Sequence, residues 1–207
     1  MCGMTRRQDV LEAVRLGADA IGVVLYEPSP RYVTPEAARL LVADLPDHVE
    51  RVGVFVSATA GQIAAAVKIA ALSAVQLYDG PSRQELELAG CTVPIIRALK
   101  ADAGLAESLA LHADEAVLLD APAGTLPGGT GKTWDWSLLD HVSRPRYLML
   151  AGGLHAGNVH EAVTRARPDA VDVSSGIESS LGVKDGARMA AFVAACAPFR
   201  NKAQEVR

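Results

Sequence analysis

Strand-like and helix-like segments alternate along the whole 207-residue chain. The strand-like segments are short apolar runs such as ADAIGVVL, ERVGVFV and EAVLLDA, which are typical of parallel strands covered on both faces. The segments between them carry helix-end signals, among them Thr34 followed by Pro35, Thr5 with Gln8 at the spacing of a capping box, and Gly17 after the first helix. This alternation predicts a parallel α/β protein.

The number of strand-like segments distinguishes between two parallel α/β folds, the doubly wound sheet and the barrel. Seven strand-like segments begin roughly 20 to 32 residues apart, with no linker between them, so we expect a single domain over residues 1–207. A doubly wound sheet usually has about five or six strands, whereas an eighth strand supplied by the residues before Gly3 would complete a barrel. We predict a (β/α)8 barrel, the TIM-barrel architecture, with its first strand truncated or nearly absent.

Composition restricts the partners of the protein. The formal net charge is -4, and Lys and Arg are scattered rather than clustered, which argues against a nucleic-acid partner. No run of 18 or more apolar residues and no signal peptide pattern is found, so we expect a cytoplasmic protein that does not contact membranes. The three cysteines are widely spaced, which indicates reduced thiols rather than a disulfide framework or a zinc site.

The active site of a barrel lies at the carboxyl ends of its strands, where this chain carries several polar residues. Asp120 ends an apolar run and should face the barrel mouth, where desolvation raises a carboxyl pKa toward the range of a general acid; the alternative is a helix cap. Arg31 has a planar fork that suits a carboxylate, although an exposed loop arginine is the common case. Asp172 could orient a polar substrate atom or cap a turn.

Two glycine-containing loops, AGGL and SSG, follow the last two strand-like segments. Backbone N–H groups in such loops can bind an anion, so they indicate a phosphorylated small-molecule substrate; as single features, Gly152, Gly153 and Gly176 could equally form tight turns. GGTGKT at 128–133 is spaced too tightly for a Walker A loop. It is interpreted as a mobile loop that makes Lys132 available, with an exposed linker as the alternative.

Eight ordered segments resemble the phosphoribosylanthranilate isomerase family across essentially the whole chain: CGMT, SPRYV, RVGVFV, VQL, LLDA, GGTGKTWDW, LAGGL and VDVSSGIES. The resemblance implies a (β/α)8 barrel that acts in tryptophan biosynthesis without a metal or an organic cofactor. The implied reaction is an aldose–ketose isomerisation, the Amadori rearrangement of N-(5-phosphoribosyl)anthranilate to 1-(2-carboxyphenylamino)-1-deoxyribulose 5-phosphate. A monomer or a homodimer is expected.

The resemblance also implies roles for single residues. Cys2 is placed as the general base and Asp120 as the general acid. Arg31 is placed at the anthranilate carboxylate, and Asp172 near the anthranilate nitrogen. The phosphate loops are placed at the following residues: Gly152, Gly153, Ser175 and Gly176. For a thiolate to act as the base, we expect the pKa of Cys2 to be lowered by nearby positive charge or a helix terminus.

The chain departs from the family pattern in two places. The residues that normally precede the cysteine and form the first strand are missing, so we expect exposed edges on the neighbouring strands unless something pairs with them. We also expect that residues placed ahead of Met1 would complete this strand, as they would if the start site had been set too late. The second departure is Tyr78 in VQLYDG, where the family commonly has a histidine.

Two other functions remain open on sequence grounds. Another sugar-phosphate isomerase barrel, such as that of histidine synthesis, would use an aspartate as base where this chain has Cys2. A catalytically impaired, phosphate-binding barrel that acts as a binding protein would be compatible with the truncated strand. Turnover of N-(5-phosphoribosyl)anthranilate separates these alternatives from the main hypothesis.

Overall fold

The computed structural model describes residues 1–112, 114–122 and 134–204, with the side chains of 200–204 excepted. Within these ranges, seven parallel strands form one sheet in chain order, each hydrogen-bonded to the next. They are β1 (Ala20–Val24), β2 (Glu50–Val56), β3 (Ala74–Tyr78), β4 (Ile95–Lys100), β5 (Ala116–Asp120), β6 (Tyr147–Leu150) and β7 (Ala170–Val171). The predicted parallel α/β architecture is confirmed. The loop that contains Lys132 lies outside the described residues.

The helices lie between the strands, as the end signals predicted. They are α1 (Arg7–Arg15), α2 (Pro35–Leu41), α3 (Ala60–Ala70), α4 (Arg83–Leu88), α5 (Leu105–Leu111), α6 (Val159–Ala166) and α7 (Gly186–Gln204). The segment DWSLLDHV forms a 3-10 helix, Trp136–His141, before β6. No helix in the described ranges has the length and apolar composition that a membrane span requires.

A short antiparallel hairpin was not predicted from the sequence. It comprises β8 (Glu178–Ser180) and β9 (Val183–Lys184), and it lies between β7 and α7. Alternating apolar periodicity cannot indicate strands of two or three residues, because a pattern of period two needs a longer run to be recognised. The hairpin carries two buried charged residues, Glu178 and Lys184.

Local capping was predicted correctly at one helix and wrongly at another. The Thr34 side chain accepts a hydrogen bond from the Ala37 N–H at the start of α2, as expected from Thr-Pro. The capping box expected from Thr5 and Gln8 does not form. The N-cap of α1 is Arg6, and no side chain caps the helix. The Thr5 hydroxyl donates instead to the Gly182 carbonyl in the hairpin turn, so a tertiary contact takes the hydroxyl away from the helix.

Residues 1–4 close the sheet into a barrel. The Cys2 N–H donates to the carbonyl of Val173, just after β7, at 2.9 Å. On the other side, the Gly22 N–H in β1 donates to the Met1 carbonyl at 2.9 Å, and the Met4 N–H donates to the Gly22 carbonyl at 3.0 Å. Residues 1–4 therefore pair with both neighbouring edges, which would be exposed if nothing paired with them.

Alternation along the strands separates an outer and an inner apolar layer. In β5, Val117 and Leu119 belong to the large core between the sheet and the helices. Leu118, between them, belongs to a small cluster with Ala98 and Ala151 inside the barrel. Successive side chains of a strand point to opposite faces, so Asp120 shares the inner face with Leu118.

Gly22 provides the space that the first residues need in order to pair with β1. A Cβ atom on Gly22 would lie 2.8 Å from the Cys2 sulfur and 3.0 Å from the Cys2 Cα. We predict that Gly22→Ala lowers the free energy of unfolding by about 1–3 kcal/mol, because it overpacks this contact. Urea unfolding followed by circular dichroism measures the change.

Gly61→Ala is the matched control, since nothing lies within 4 Å of a Cβ atom on Gly61 at the start of α3. It should leave stability unchanged or slightly higher. Equal stability of Gly22→Ala and the wild type would show that residues 1–4 do not pack tightly against β1.

Candidate active site

A cavity opens at the carboxyl ends of the barrel strands. Its lining includes the following side chains and loops: Cys2, Arg31, Gln76, Tyr78, Asp120, Gly152, Gly153, Asp172, Ser174 and Ser175. All the site residues proposed from the sequence line this cavity except Gly176. A Cβ atom on Gly176 would lie 1.9 Å from the Leu154 carbonyl oxygen, so this glycine lets two loops pack closely beside the cavity. The structure thus brings together residues that are far apart in the chain.

Cys2 lies in the cavity wall with a buried side chain. Burial and the neighbouring Asp172 carboxylate raise the pKa of the Cys2 thiol to about 12, although nearby positive charge, including Lys184, opposes them. The expected lowering of this pKa is wrong for the protein without ligand. The reason is physical: removing a thiolate from water costs more than these charges recover.

Asp120 ends β5 and is buried at the cavity. Its Oδ2 accepts a hydrogen bond from the Tyr78 hydroxyl at 2.8 Å, and its Oδ1 accepts one from the Ala121 N–H at 2.8 Å. Burial raises the pKa of Asp120 above its ordinary value, and the two hydrogen bonds only partly offset this rise. The raised pKa predicted for a carboxyl at the barrel mouth is confirmed, which suits a group that must hold a proton.

Arg31 is buried and forms a two-pronged ion pair across the site. Its Nε and Nη2 each donate to one oxygen of the Glu178 carboxylate, both at 2.7 Å. Lys184 donates to the same carboxylate at 2.9 Å and to the Ser174 carbonyl at 3.0 Å. Among the residues that the structure describes, the Arg31 Nη1 has no hydrogen-bond partner, so one edge of the guanidinium is available to a ligand.

Glu178 and Lys184 were missed by the sequence reasoning. They lie in the hairpin formed by β8 and β9, and Glu178 is 147 positions from Arg31 in the chain, so no local spacing indicates the pair. Burial raises the pKa of Glu178, but the hydrogen bond from Arg31 and the charge of Lys184 outweigh it and keep this pKa below its ordinary value. Glu178 is therefore ionised at neutral pH and holds the two cations in place.

The two glycine-containing loops lie side by side at the cavity. Gly152 and Gly153 have φ angles of +83° and +69°, a left-handed conformation that side chains disfavour. The Asn158 amide donates to the Gly153 carbonyl at 3.0 Å and fixes this loop. Within the described ranges, the N–H groups of Gly152 and Gly153 donate to no main-chain carbonyl, so they are available for an anion.

The arrangement places a buried thiol and a buried carboxyl in one cavity, beside a cation and loops that can bind an anion. Among the described residues, no cluster of His, Cys, Asp and Glu side chains is arranged to hold a metal ion. Fold and site together are those of a (β/α)8-barrel enzyme.

Comparison with known proteins agrees with this class. The family model described as N-(5'phosphoribosyl)anthranilate (PRA) isomerase matches residues 1–195. The N-(5'-phosphoribosyl)anthranilate isomerase of Pseudomonas fluorescens is 43% identical over 199 residues, which cover 93% of this chain and 95% of the relative. The enzyme of Nitrosospira multiformis is 41% identical, with 93% of each chain covered.

Solved structures show the same likeness. The phosphoribosylanthranilate isomerase of Thermotoga maritima superimposes with a TM-score of 0.86 at 39% identity, over 96% of this chain and 97% of that one. A second structure, of a phosphoribosylanthranilate isomerase in complex with reduced 1-(o-carboxyphenylamino)-1-deoxyribulose 5-phosphate, has a TM-score of 0.81 at 36% identity, over 95% and 96% of the two chains. The chain belongs to the phosphoribosylanthranilate isomerase family, and its (β/α)8-barrel fold is that of the family.

The buried ion pairs make Glu178 a sensitive position for stability. Glu178→Ala would leave Arg31 and Lys184 buried without their shared carboxylate, so we expect the free energy of unfolding to fall by about 3–5 kcal/mol. Chemical denaturation provides the measurement. Glu12→Ala, which breaks the exposed pair with Arg15, should leave stability within error. Equal effects of the two substitutions would contradict the structural role of Glu178.

The raised pKa of Cys2 predicts an unusual pH dependence of alkylation. The thiolate fraction grows about tenfold per pH unit below the pKa, so the reaction of Cys2 with iodoacetamide should accelerate throughout pH 7–9. Free N-acetylcysteine in the same solution serves as the comparison, and its rate should level off near an ordinary thiol pKa of about 8.5. Mass spectrometry measures both reactions. A Cys2 rate that levels off with that of N-acetylcysteine would contradict the raised pKa.

Proposed function

We propose that this protein catalyses the Amadori rearrangement of N-(5-phosphoribosyl)anthranilate in tryptophan biosynthesis, with Cys2 as general base and Asp120 as general acid. The observation that carries the proposal is that both groups line one cavity and are both buried from water. The available N–H groups of the Gly152–Gly153 loop support a phosphorylated substrate. The relative whose structure holds a reduced carboxyphenylamino-deoxyribulose phosphate supports the same substrate class.

The first chemical step opens the ribose ring. A proton from Asp120 goes to the ring oxygen, the bond between that oxygen and C1 breaks, and the lone pair of the anthranilate nitrogen forms the double bond to C1. The product is a Schiff-base cation, and Asp120 is left as a carboxylate. The raised pKa of Asp120 helps this step, because a larger fraction of the carboxyl starts in the protonated form.

The second step removes the proton from C2 of the sugar. The positive charge of the Schiff base lowers the pKa of a thiol at close range, so we propose that Cys2 loses its proton to water only while this cation occupies the cavity, which reconciles its role with a pKa of about 12. The same charge acidifies the C2 proton: the thiolate accepts it, the C2–H electron pair forms the C1–C2 double bond, and the electron pair of the C=N bond returns to nitrogen. The resulting enol-amine becomes the ketone when its C2 hydroxyl loses a proton to water and C1 gains one.

Substrate binding is assigned to the charged and glycine-rich parts of the cavity. The open edge of Arg31, whose other edge pairs with Glu178, is proposed to receive the anthranilate carboxylate. Asp172 is proposed to lie near the anthranilate nitrogen. The phosphate is assigned to the following residues: Gly152, Gly153, Ser175 and Gly176. For Gly176, only its main chain can contribute, since the glycine has no side chain and is packed against Leu154.

The expected assembly is a monomer or a homodimer in the cytoplasm, without a nucleic-acid partner. A relative from Thermotoga maritima has been studied as monomers generated from a dimeric phosphoribosylanthranilate isomerase, at 36% identity to this chain. We propose no metal and no organic cofactor, because the acid, the base, water and the substrate's own nitrogen account for the protons and bonds in these steps.

Turnover of freshly prepared N-(5-phosphoribosyl)anthranilate, followed by the loss of its fluorescence, tests the function directly. The wild type should be active. Cys2→Ser and Asp120→Asn should each lower kcat by about 10²- to 10⁴-fold, because each keeps the shape of the side chain and loses the proton-transfer group. An inactive wild type would favour a binding protein. Near-normal turnover in Asp120→Asn would assign the acid elsewhere, with Asp172 the first candidate.

A further inference from the structure

The proposed mechanism does not use Tyr78. This residue ends β3, is half-buried, and lines the cavity. Its hydroxyl donates to the Asp120 Oδ2 at 2.8 Å. Because β4 lies between β3 and β5 in the sheet, this bond bridges the interior of the barrel rather than joining neighbouring strands.

The two oxygens of Asp120 have partners of different chemistry. Oδ1 accepts from the Ala121 N–H, and a backbone N–H can only donate. Oδ2 meets the Tyr78 hydroxyl, which can either donate or accept. With one hydrogen bond on each oxygen, the backbone N–H and the hydroxyl together fix the plane of the carboxyl.

Gln76 completes the set of hydrogen bonds. It is buried two residues before Tyr78 on the same inner face of β3, and its Nε2 lies 3.4 Å from the Tyr78 oxygen as a donor. With its oxygen facing this amide, the hydroxyl directs its own hydrogen toward Asp120. The ionisable groups that act on the Tyr78–Asp120 pair are Cys2 and Asp172.

We propose that Tyr78 is a positioning residue for the acid step: its hydroxyl fixes the orientation of the Asp120 carboxyl from which the proton is delivered. The inference rests on the proposed role of Asp120 as general acid.

Tyr78→Phe tests the inference, because it removes only the hydroxyl and keeps the ring in the cavity wall. We expect kcat to fall by roughly 10- to 100-fold, the size associated with losing a hydrogen bond to a charged group, with little change in KM. Tyr78→His, whose imidazole can again donate to Asp120, should recover part of this loss. Tyr32→Phe, the same chemical change at a half-exposed position outside the cavity lining, is the control and should match the wild type.

A second measurement does not depend on turnover. The hydroxyl stabilises the ionised carboxylate, so its removal should raise the pKa of Asp120. The ¹³C carboxyl resonance of Asp120, assigned by its absence from Asp120→Asn, should therefore titrate at higher pH in Tyr78→Phe than in the wild type or Tyr32→Phe. A residue that merely fills space would leave this titration unchanged.

The outcomes separate this inference from the proposed function. Normal kcat and unchanged titration in Tyr78→Phe, with Asp120→Asn inactive, would overturn the role of Tyr78 and leave the acid assignment intact. Full activity of Asp120→Asn would overturn both. In an Asp120→Asn background, Tyr78→Phe should cost nothing further, and an additional loss there would show that Tyr78 acts independently of Asp120.

Discussion

The pairing of residues 1–4 with both edges of the sheet is the contact on which the rest of the site depends. Backbone hydrogen bonds from Cys2 to Val173 and between residues 1–4 and Gly22 join the first and last strands of the sheet. Without them, β1 and the end of β7 would each present unpaired backbone groups. The same hydrogen bonds place Cys2 in the cavity wall, so the contact that closes the barrel also positions the proposed base.

Burial has opposite consequences for the two groups that are proposed to transfer protons. It raises the pKa of Asp120, which helps a carboxyl to hold the proton that it must deliver. It also raises the pKa of Cys2, which hinders the formation of a thiolate. Burial therefore suits the proposed acid in its resting state, whereas the proposed base needs a nearby positive charge.

The charged network around Glu178 shows how the site keeps a cation available in such a cavity. A buried arginine without a partner is costly, and a fully paired one cannot bind a ligand. Glu178 engages one edge of Arg31 and leaves Nη1 open among the described residues. Lys184 donates to the same carboxylate, so the three side chains together carry a net positive charge. The Glu178 carboxylate therefore stabilises the hairpin and also leaves part of the Arg31 guanidinium available to a ligand.

The sequence by itself determined the strand and helix order, the parallel barrel, and the loops that carry the site. Apolar runs and end signals such as Thr34–Pro35 are local, and the carboxyl ends of parallel strands meet at one edge whatever the details of packing. Only the tertiary structure decided which side chains of the site pair with one another and how burial shifts their pKa values. The Thr5 hydroxyl bonds to the hairpin turn rather than to its own helix, Arg31 pairs with a residue 147 positions away, and Tyr78 meets Asp120 across the barrel. The pKa of Cys2 likewise rises because closure buries the thiol, and burial is a property of the assembled barrel that no short stretch of sequence contains.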